Sequence, residues 1–117
     1  MDDDVTLNLI LIASTPNPTV EFSRASARGD FNAAMLEGWI RSADGAFDDV
    51  TMFLEGSNDL CNWSDVSLSI VLTETPDHQR SSGSEALPWQ WLRIRFEAKG
   101  NGTRIAVMGR ISMTESS

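Results

Sequence analysis

Residues 50–66 read VTMFLEGSNDLCNWSDV. Residues 50–55 are rich in β-branched and apolar side chains, which favours a strand. The following GSND run consists of turn-forming residues, and Trp63 comes where a large apolar side chain can anchor a turn. We therefore predict a strand, a polar turn anchored by Trp63, and a second strand. This stretch indicates a fold more firmly than it indicates a function.

The N-terminal part of the chain predicts two further strands. Residues 5–12 begin with alternating apolar and polar side chains and become apolar on both faces, which is typical of a central or covered strand. Pro16 and Pro18 end this strand, because proline cannot donate a hydrogen bond to a ladder. Val20 and Phe22 then indicate a short second strand.

Residues 31–41 have two interpretations. Asp30 could cap a short helix in this segment. Apolar and polar side chains also alternate here as in a strand, and the turn at Asp44 and Gly45 would join that strand to residues 50–55 as a hairpin. We favour the strand and keep the helix as the alternative.

The C-terminal half predicts a strand, a loop and a hairpin. Residues 66–72 alternate clearly, so we expect a strand with one buried face. Residues 75–88 are polar and contain two prolines, which predicts a long loop. A KGNG turn at residues 99–102 would then join strands over residues 91–97 and 103–114 into a terminal hairpin.

The phase of this hairpin separates inward from outward side chains. The predicted inward set is Leu92, Ile94, Phe96, Ile105, Val107, Ile111 and Met113. The predicted outward set is Trp91, Arg93, Arg95, Glu97, Arg104, Met108 and Arg110. One sheet face is therefore expected to carry aromatic and guanidinium groups.

The number and spacing of these segments predict the fold class. About eight short strands with turns every 8–12 residues are typical of an all-β antiparallel β-sandwich, here of jelly-roll type. A length of 117 residues and a hydrophobic fraction of 41% suit one core. We expect a single domain over residues 1–117, with residues 1–4 and 115–117 as flexible ends.

The charge of the chain limits its partners. The net charge is −8, which argues against nucleic-acid binding through a basic surface. Residues 1–60 contain eleven acidic and three basic side chains, whereas residues 61–117 contain six of each. This asymmetry would allow an acidic surface of one copy to meet arginines of another, although ordinary solubility also explains the excess charge.

Cys61 is the single cysteine, so an intramolecular disulfide is impossible and we expect a buried, inert thiol. The acidic start MDDD differs from the basic start of a signal peptide, and residues 5–13 are too short to span a bilayer. The expectation is therefore a protein of the cytoplasm or of a virion, without a membrane span and not secreted by a signal peptide.

Two segments resemble a known family. Residues 54–63, LEGSNDLCNW, followed by residues 91–96, WLRIRF, resemble the galactose-binding-like jelly rolls of the discoidin, or coagulation factor type C, kind. The resemblance extends over residues 50–66 and 89–113, with Leu60 where those domains usually have Gly. It implies a jelly roll and, as an alternative function, a carbohydrate-binding module in which exposed tryptophans stack on sugar rings.

No catalytic motif is present. His78 is the single histidine, no serine lies in a nucleophile motif, and no glycine-rich phosphate loop occurs. We therefore expect neither catalysis nor a cofactor. Asn58, Asp59 and Asp65 are weak candidates for calcium ligands through their side-chain oxygens, but an Asx turn explains the first two without a metal.

Tryptophan and arginine supply the candidate binding residues, because both are enriched at interface hot spots. The predicted partner-binding set is Trp89, Trp91, Arg93, Arg95, Arg104 and Arg110. Alternatively, a loop covers the tryptophans and acids on a neighbouring strand pair with the arginines. Trp39 and Trp63 are interpreted as core anchors, or as ligand-stacking residues in the carbohydrate-binding alternative.

These features together predict a non-catalytic structural or accessory subunit. Such a protein would act by protein–protein contacts, as a homo-oligomer or as part of a larger bacterial or phage assembly.

Overall fold

The structure is a computed structural model that describes residues 2–27, 29, 33–81, 85–86 and 89–114. These residues form ten strands: β1 Asp2–Ile12, β2 Thr19–Phe22, β3 Ser26–Ala27, β4 Ala33–Ala43, β5 Asp49–Ser57, β6 Ser64–Leu72, β7 Asp77–Arg80, β8 Glu85–Ala86, β9 Trp91–Lys99 and β10 Arg104–Thr114. The described part of residues 31–41 is thus the strand that the alternation favoured.

The strands form two antiparallel sheets. Sheet A has the order β1-β10-β4-β7, with β8 also pairing with β4. Sheet B has the order β2-β9-β5-β6, with β3 also pairing with β9. When the two-residue strands β3 and β8 are set aside, the remaining eight strands give the two interleaved sheets of a jelly roll. The all-β jelly-roll prediction is therefore confirmed.

The core lies between the two sheets and follows the predicted phase. Leu92, Ile94 and Phe96 of β9 are at most 1% exposed, and the predicted inward residues of β10 are equally buried. Because side chains alternate along a strand, the arginines between them must lie on the outer faces. Because the apolar residues of these strands are buried, only the residues that alternate with them remain available for a functional site.

Both predicted hairpins are wrong in their pairing. β4 belongs to sheet A and β5 to sheet B, and β9 and β10 are divided in the same way. Each connection therefore crosses between the sheets, which lets both of its strands bury their apolar face in the shared core. β5 and β6 are the one pair of successive strands that also pair side by side in the described chain.

Two other segments also differ from expectation. The predicted loop over residues 75–88 contains β7 and β8, which both add to sheet A. Residues 5–12 were expected to be central or covered, but β1 is an edge strand of sheet A, and its side chains Ile10 and Ile12 are 69% and 51% exposed. Residues 2–4, expected to be a flexible end, begin β1, while residues 115–117 lie outside the described residues.

The turn between β5 and β6 is organised by Asp59. Its Oδ1 accepts hydrogen bonds from the backbone N–H groups of Cys61 and Asn62 at 2.9 and 2.8 Å. These bonds hold the pKa of the Asp59 carboxyl well below its usual range. Leu60 has a φ of 64°, in the left-handed region that favours glycine. Cys61 is exposed, so the expectation of a buried thiol is wrong.

Candidate functional site

The outer face of sheet B carries an arginine–aromatic cluster, defined here as Phe22, Phe53, Glu55, Trp63, Arg93 and Arg95. The register between β5 and β9 places Glu55 opposite Arg93, and Phe53 opposite Arg95. Directly opposed residues in an antiparallel pair have side chains on the same face. The sheet therefore brings an acid, two arginines and an aromatic ring together.

Glu55 binds both arginines of β9. Its Oε1 accepts a hydrogen bond from Arg93 Nε at 2.8 Å, and its Oε2 accepts one from Arg95 Nη1 at 2.7 Å. The Glu55 side chain is only 6% exposed. Arg95 Nε also lies 3.0 Å from Glu97 Oε2, an ion pair without hydrogen-bond geometry. Pairing of the arginines with acids on the same sheet, one of the two sequence interpretations, is thus what the geometry shows.

Aromatic rings cover the guanidinium groups. The Cζ atom of Arg93 lies 4.0 Å from the ring centroid of Phe22 and 4.1 Å from that of Trp63, and the Cζ atom of Arg95 lies 4.2 Å from that of Phe53. Such contacts are favourable cation–π geometries. Trp63 is therefore not a core anchor, because its ring packs on a guanidinium at the outer face.

The two tryptophans of the predicted partner-binding set are separated. Trp89 precedes β9 and packs against the core, where a Cβ added to Gly56 would lie 2.3 Å from its indole Cγ. Trp91 lies on β9, half-buried, in register with Ser57 and Ala27. The expected stripe of two indoles beside two guanidiniums therefore includes Trp91 but not Trp89.

A second cluster lies on the outer face of sheet A and consists of Glu37, Trp39, His78 and Arg110. His78 Nε2 lies 2.5 Å from Glu37 Oε2, and Arg110 donates to Glu37 Oε1. The rings of Trp39 and His78 stack with centroids 4.6 Å apart and an angle of 12° between their planes. Trp39 is thus half-buried at the outer face and not a core anchor.

Trp39 is flanked from two directions. β7, which carries His78, and β10, which carries Arg110, pair with opposite sides of β4. His78 stacks on Trp39, and the Arg110 Cζ lies 5.1 Å from the Trp39 ring centroid. His78 therefore occupies one face of the indole, and a cleft of about 470 Å³ is lined by Trp39, Pro76 and His78, among others.

Through Glu37, the contribution of this cluster to the stability of the fold depends on pH. Burial raises the pKa of the Glu37 carboxyl, but hydrogen bonds from Arg110 and His78, together with their charges, outweigh burial and lower the pKa. A carboxylate with a lowered pKa in the folded state stabilises the fold above its ordinary pKa of 4.5. This contribution is lost as the pH falls from 4.5 through the lower folded-state pKa.

We therefore expect the Glu37→Gln variant to lose less stability than the parent protein between about pH 5 and about pH 3. Urea unfolding at the two pH values, followed by circular dichroism, measures the difference in the free energy of unfolding. Glu21→Gln on the exposed part of β2 is the control and should retain the parent's pH dependence. An identical pH dependence for Glu37→Gln and the parent would contradict this role.

The candidate metal ligands do not converge. Asn58 Oδ1 accepts a hydrogen bond from the backbone N–H of Gln90 at 2.9 Å, and Asp59 holds its turn. Asp65 lies on β6, in register with Glu55. Within the ranges that the structure describes, no three His, Cys, Asp or Glu side chains are grouped as a metal site requires.

Large apolar side chains are exposed along the first two strands. Ile10 and Ile12 on β1 are 69% and 51% exposed, and Val20 and Phe22 on β2 are 43% and 46% exposed. β1 and β2 are edge strands of sheets A and B, and they contact each other. We call these four residues the apolar edge. The exposure of Ile10 and Ile12 was not predicted, because a strand that is apolar on both faces was expected to be covered.

Arg104 lies beside the apolar edge. It is exposed and is in register with Ile12, and its backbone N–H donates to Asp44 Oδ1 at 2.8 Å. A shallow cleft of about 230 Å³ is lined by Ile10, Arg104 and Ala106, among others. Among the predicted partner-binding residues, Arg104 therefore lies next to Ile10 and Ile12, and Arg93 lies against Phe22.

Comparison with known proteins supports the fold. No protein-family model matches the chain, and no curated protein matches it in sequence. The chain is similar in structure to the PBSX exported protein XepA, with a TM-score of 0.68 and 14% identity over 100% of this chain. It spans 38% of the length of that protein.

Two further solved structures share the fold. PirA gives a TM-score of 0.57 with 9% identity over 92% of each chain. A pilus protein of Bacillus endospore appendages, described as disulfide-linked, gives 0.52 with 16% identity over 99% of this chain and 88% of its own. These likenesses are to β proteins in general and do not single out the discoidin kind.

The expected location is overturned by these comparisons. A cytoplasmic or virion protein was predicted, whereas the neighbours include an exported protein and an appendage pilus. The acidic N-terminus was a poor guide to location, because it tests for one kind of export signal only. Among the residues that the structure describes, none form a helix long and apolar enough to cross a membrane.

Proposed function

We propose that this protein is a non-catalytic structural subunit that acts through protein–protein contacts at its apolar edge. The observation that carries the proposal is the exposure of Ile10 and Ile12 on the outer face of the edge strand β1. These two side chains adjoin on one face of the strand, and exposed apolar side chains that adjoin one another mark interaction sites, whereas scattered ones need no explanation. Val20 and Phe22 are also exposed, on the outer face of sheet B at its edge strand β2. Arg104 supplies a charged residue at the rim of this contact.

The other candidate residues support this choice of surface. Arg93 and Arg95 already bind Glu55 and stack on aromatic rings, so their charges are satisfied within the chain. A partner would gain little from them without breaking those contacts. Trp91 and Arg110 remain candidates for a secondary contact on the outer faces. The endospore appendage pili contain a protein of this fold, which supports assembly as one function that the fold can serve.

Ile10→Lys tests the apolar edge. We expect this variant to lose bound partner or self-association, with at least a ten-fold weaker contact, because a buried unpaired ammonium costs more than about 1.4 kcal/mol. Val71→Lys is the matched control, since Val71 is also an exposed apolar residue, 51% exposed, but lies on β6 at the far edge of sheet B. Light scattering on freshly purified native protein measures the mass.

A strict monomer that co-purifies with no other protein would contradict the proposal. Equal losses for Ile10→Lys and Val71→Lys would show that the contact does not depend on the apolar edge. Unchanged circular dichroism in both variants is the required control for folding.

The carbohydrate-binding alternative is less well supported by the geometry. The Trp39 ring is flanked by His78 and Arg110, and the Trp63 ring lies on Arg93. Stacking on a sugar needs a free aromatic face, and Trp89 packs against the core. We therefore place the interaction at the apolar edge.

A further inference from the structure

The edges of the two sheets differ in length and regularity. Among the described strands, β2 and β7 have four residues each, and β3 and β8 have two each. β6 has nine residues, with an irregular register against β5. β1 has 11 residues and pairs with β10 without a register shift. β1 is therefore the one long, regular edge in the described part of the chain.

Residues 6–11 of β1 also have none of the sequence features that protect edge strands, whereas the carbonyl of Ile12 already accepts a hydrogen bond from Thr19 Oγ1. Lysine, proline and bulges are the usual means by which proteins prevent an edge from accepting another strand. Residues 6–12 read TLNLILI, without a charge or a proline. Ile10 and Ile12 are exposed on this segment, as are Thr6 and Asn8. The backbone and side chains of this segment therefore suit a further strand.

We propose that β1 pairs antiparallel with β1 of a second copy of this chain, about a two-fold axis at Asn8. This inference rests on the proposed function and names its partner. Asn8 would lie opposite Asn8 of the second copy, Thr6 opposite Ile10, and Asp4 opposite Ile12. The four-stranded path of each sheet A would become part of one continuous sheet of eight strands.

The face of the strand supports this register. Thr6, Asn8, Ile10 and Ile12 alternate with more buried residues and so share the outer face of sheet A. Directly opposed residues of an antiparallel pair point to the same face, so even-numbered positions must meet even-numbered positions. Any two-fold axis through a residue of β1 satisfies this condition, and the axis at Asn8 pairs residues 4–12 with the same residues of the second copy.

Charge selects a second copy as the partner. β1 begins with three aspartates in sequence, whereas its other end adjoins Arg104 on β10. Antiparallel pairing brings the acidic end of each copy to the Arg104 end of the other. A parallel pair would place the aspartates of both copies together, at a cost from like-charge repulsion. The edge is thus complementary to itself, as a two-fold interface requires.

Cross-linking at the axis tests the register. In a Cys61→Ser background, Asn8→Cys should form a disulfide-linked dimer under mild oxidation, because opposed residues of an antiparallel pair lie about 4.5–5.5 Å apart at Cα. Ser69→Cys in the same background is the control, since Ser69 is exposed on β6 of sheet B. It should stay monomeric on a non-reducing gel.

Charge at the axis provides a second test that does not depend on oxidation. Asn8→Lys would place two ammonium groups opposite each other, and we expect the dimer Kd to rise at least ten-fold in sedimentation velocity. Asn8→Asp should weaken the dimer less, because Arg41 Nη1, which donates to Asn8 Oδ1 at 3.4 Å, can pair with the new carboxylate. A mixture of the two variants should recover the dimer, because each copy then meets an opposite charge. Simple misfolding would not be rescued by mixing.

The outcomes separate this inference from the proposed function. A cross-link at Asn8 together with charge rescue supports both. An oligomer or complex that is lost in Ile10→Lys but has no Asn8 cross-link and no rescue overturns the pairing of β1 with itself, while the apolar edge stands as a contact with another protein. A monomer without any co-purifying partner overturns both.

Discussion

Replacing Glu55 by Gln is expected to lower the free energy of unfolding by about 2–3 kcal/mol. The Glu55 side chain is 6% exposed and binds two guanidiniums, at 2.8 Å and 2.7 Å. Loss of its charge leaves Arg93 and Arg95 facing each other on one sheet face without their shared acid. The cost stays below that of a fully buried pair, because the two arginines are 20% and 25% exposed.

Glu97→Gln is the matched control for this prediction. Glu97 also pairs with Arg95, but its side chain is 29% exposed and it contacts a single arginine. We expect a loss of less than about 1 kcal/mol, as for ion pairs that are open to solvent. Urea unfolding with an unchanged m-value measures both variants. Equal losses for the two would show that Glu55 does not organise the cluster.

Gly56→Ala is expected to destabilise the protein by about 2–3 kcal/mol through overpacking. The added Cβ would lie 2.3 Å from Cγ and Cδ1 of Trp89, and 2.7 Å from its Cβ. These atoms include the base of the side chain, so the whole indole must move. A shift in tryptophan fluorescence should accompany the loss of stability measured by urea unfolding.

Gly45→Ala is the control, because its added Cβ would meet Thr103 Oγ1 at 3.7 Å, an ordinary contact. We expect a change within about 0.5 kcal/mol. Adding Trp89→Leu to Gly56→Ala should cost less than the sum of the two single changes, since the steric conflict is then removed. Additive losses would show that the effect of Gly56→Ala does not come from a steric conflict with Trp89.

The candidate site was predictable in part. Alternation in β9 showed that Arg93 and Arg95 face outward, and the two sequence interpretations included pairing with acids on a neighbouring strand. Their shared acid, Glu55, could not be identified, because β5 was predicted to pair with β4 rather than with β9. The contact of Trp63 with Arg93 was not predicted for the same reason, since it runs across the sheet.

The apolar edge shows that exposure, too, could not be predicted from the sequence. Ile10 and Ile12 are the hydrophobic residues that most resembled core, yet they are exposed on an edge strand. Residues 5–12 were predicted to be covered because they are apolar on both faces of the strand. In the fold, burial depends on which strands lie beside β1 and what covers the outer face of its sheet.

The sequence by itself determined the alternation of residues 50–55, 91–97 and 103–114, the presence of a turn after β5, and the all-β class. These features are local, because successive side chains of a strand point to opposite faces whatever the strand pairs with. The tertiary structure alone decided that β5 pairs with β9 and β6, that Trp63 packs on Arg93, and that β1 is an edge. Backbone pairing uses the same N–H and C=O groups in every residue, so the choice of neighbour follows from packing two sheets around one core.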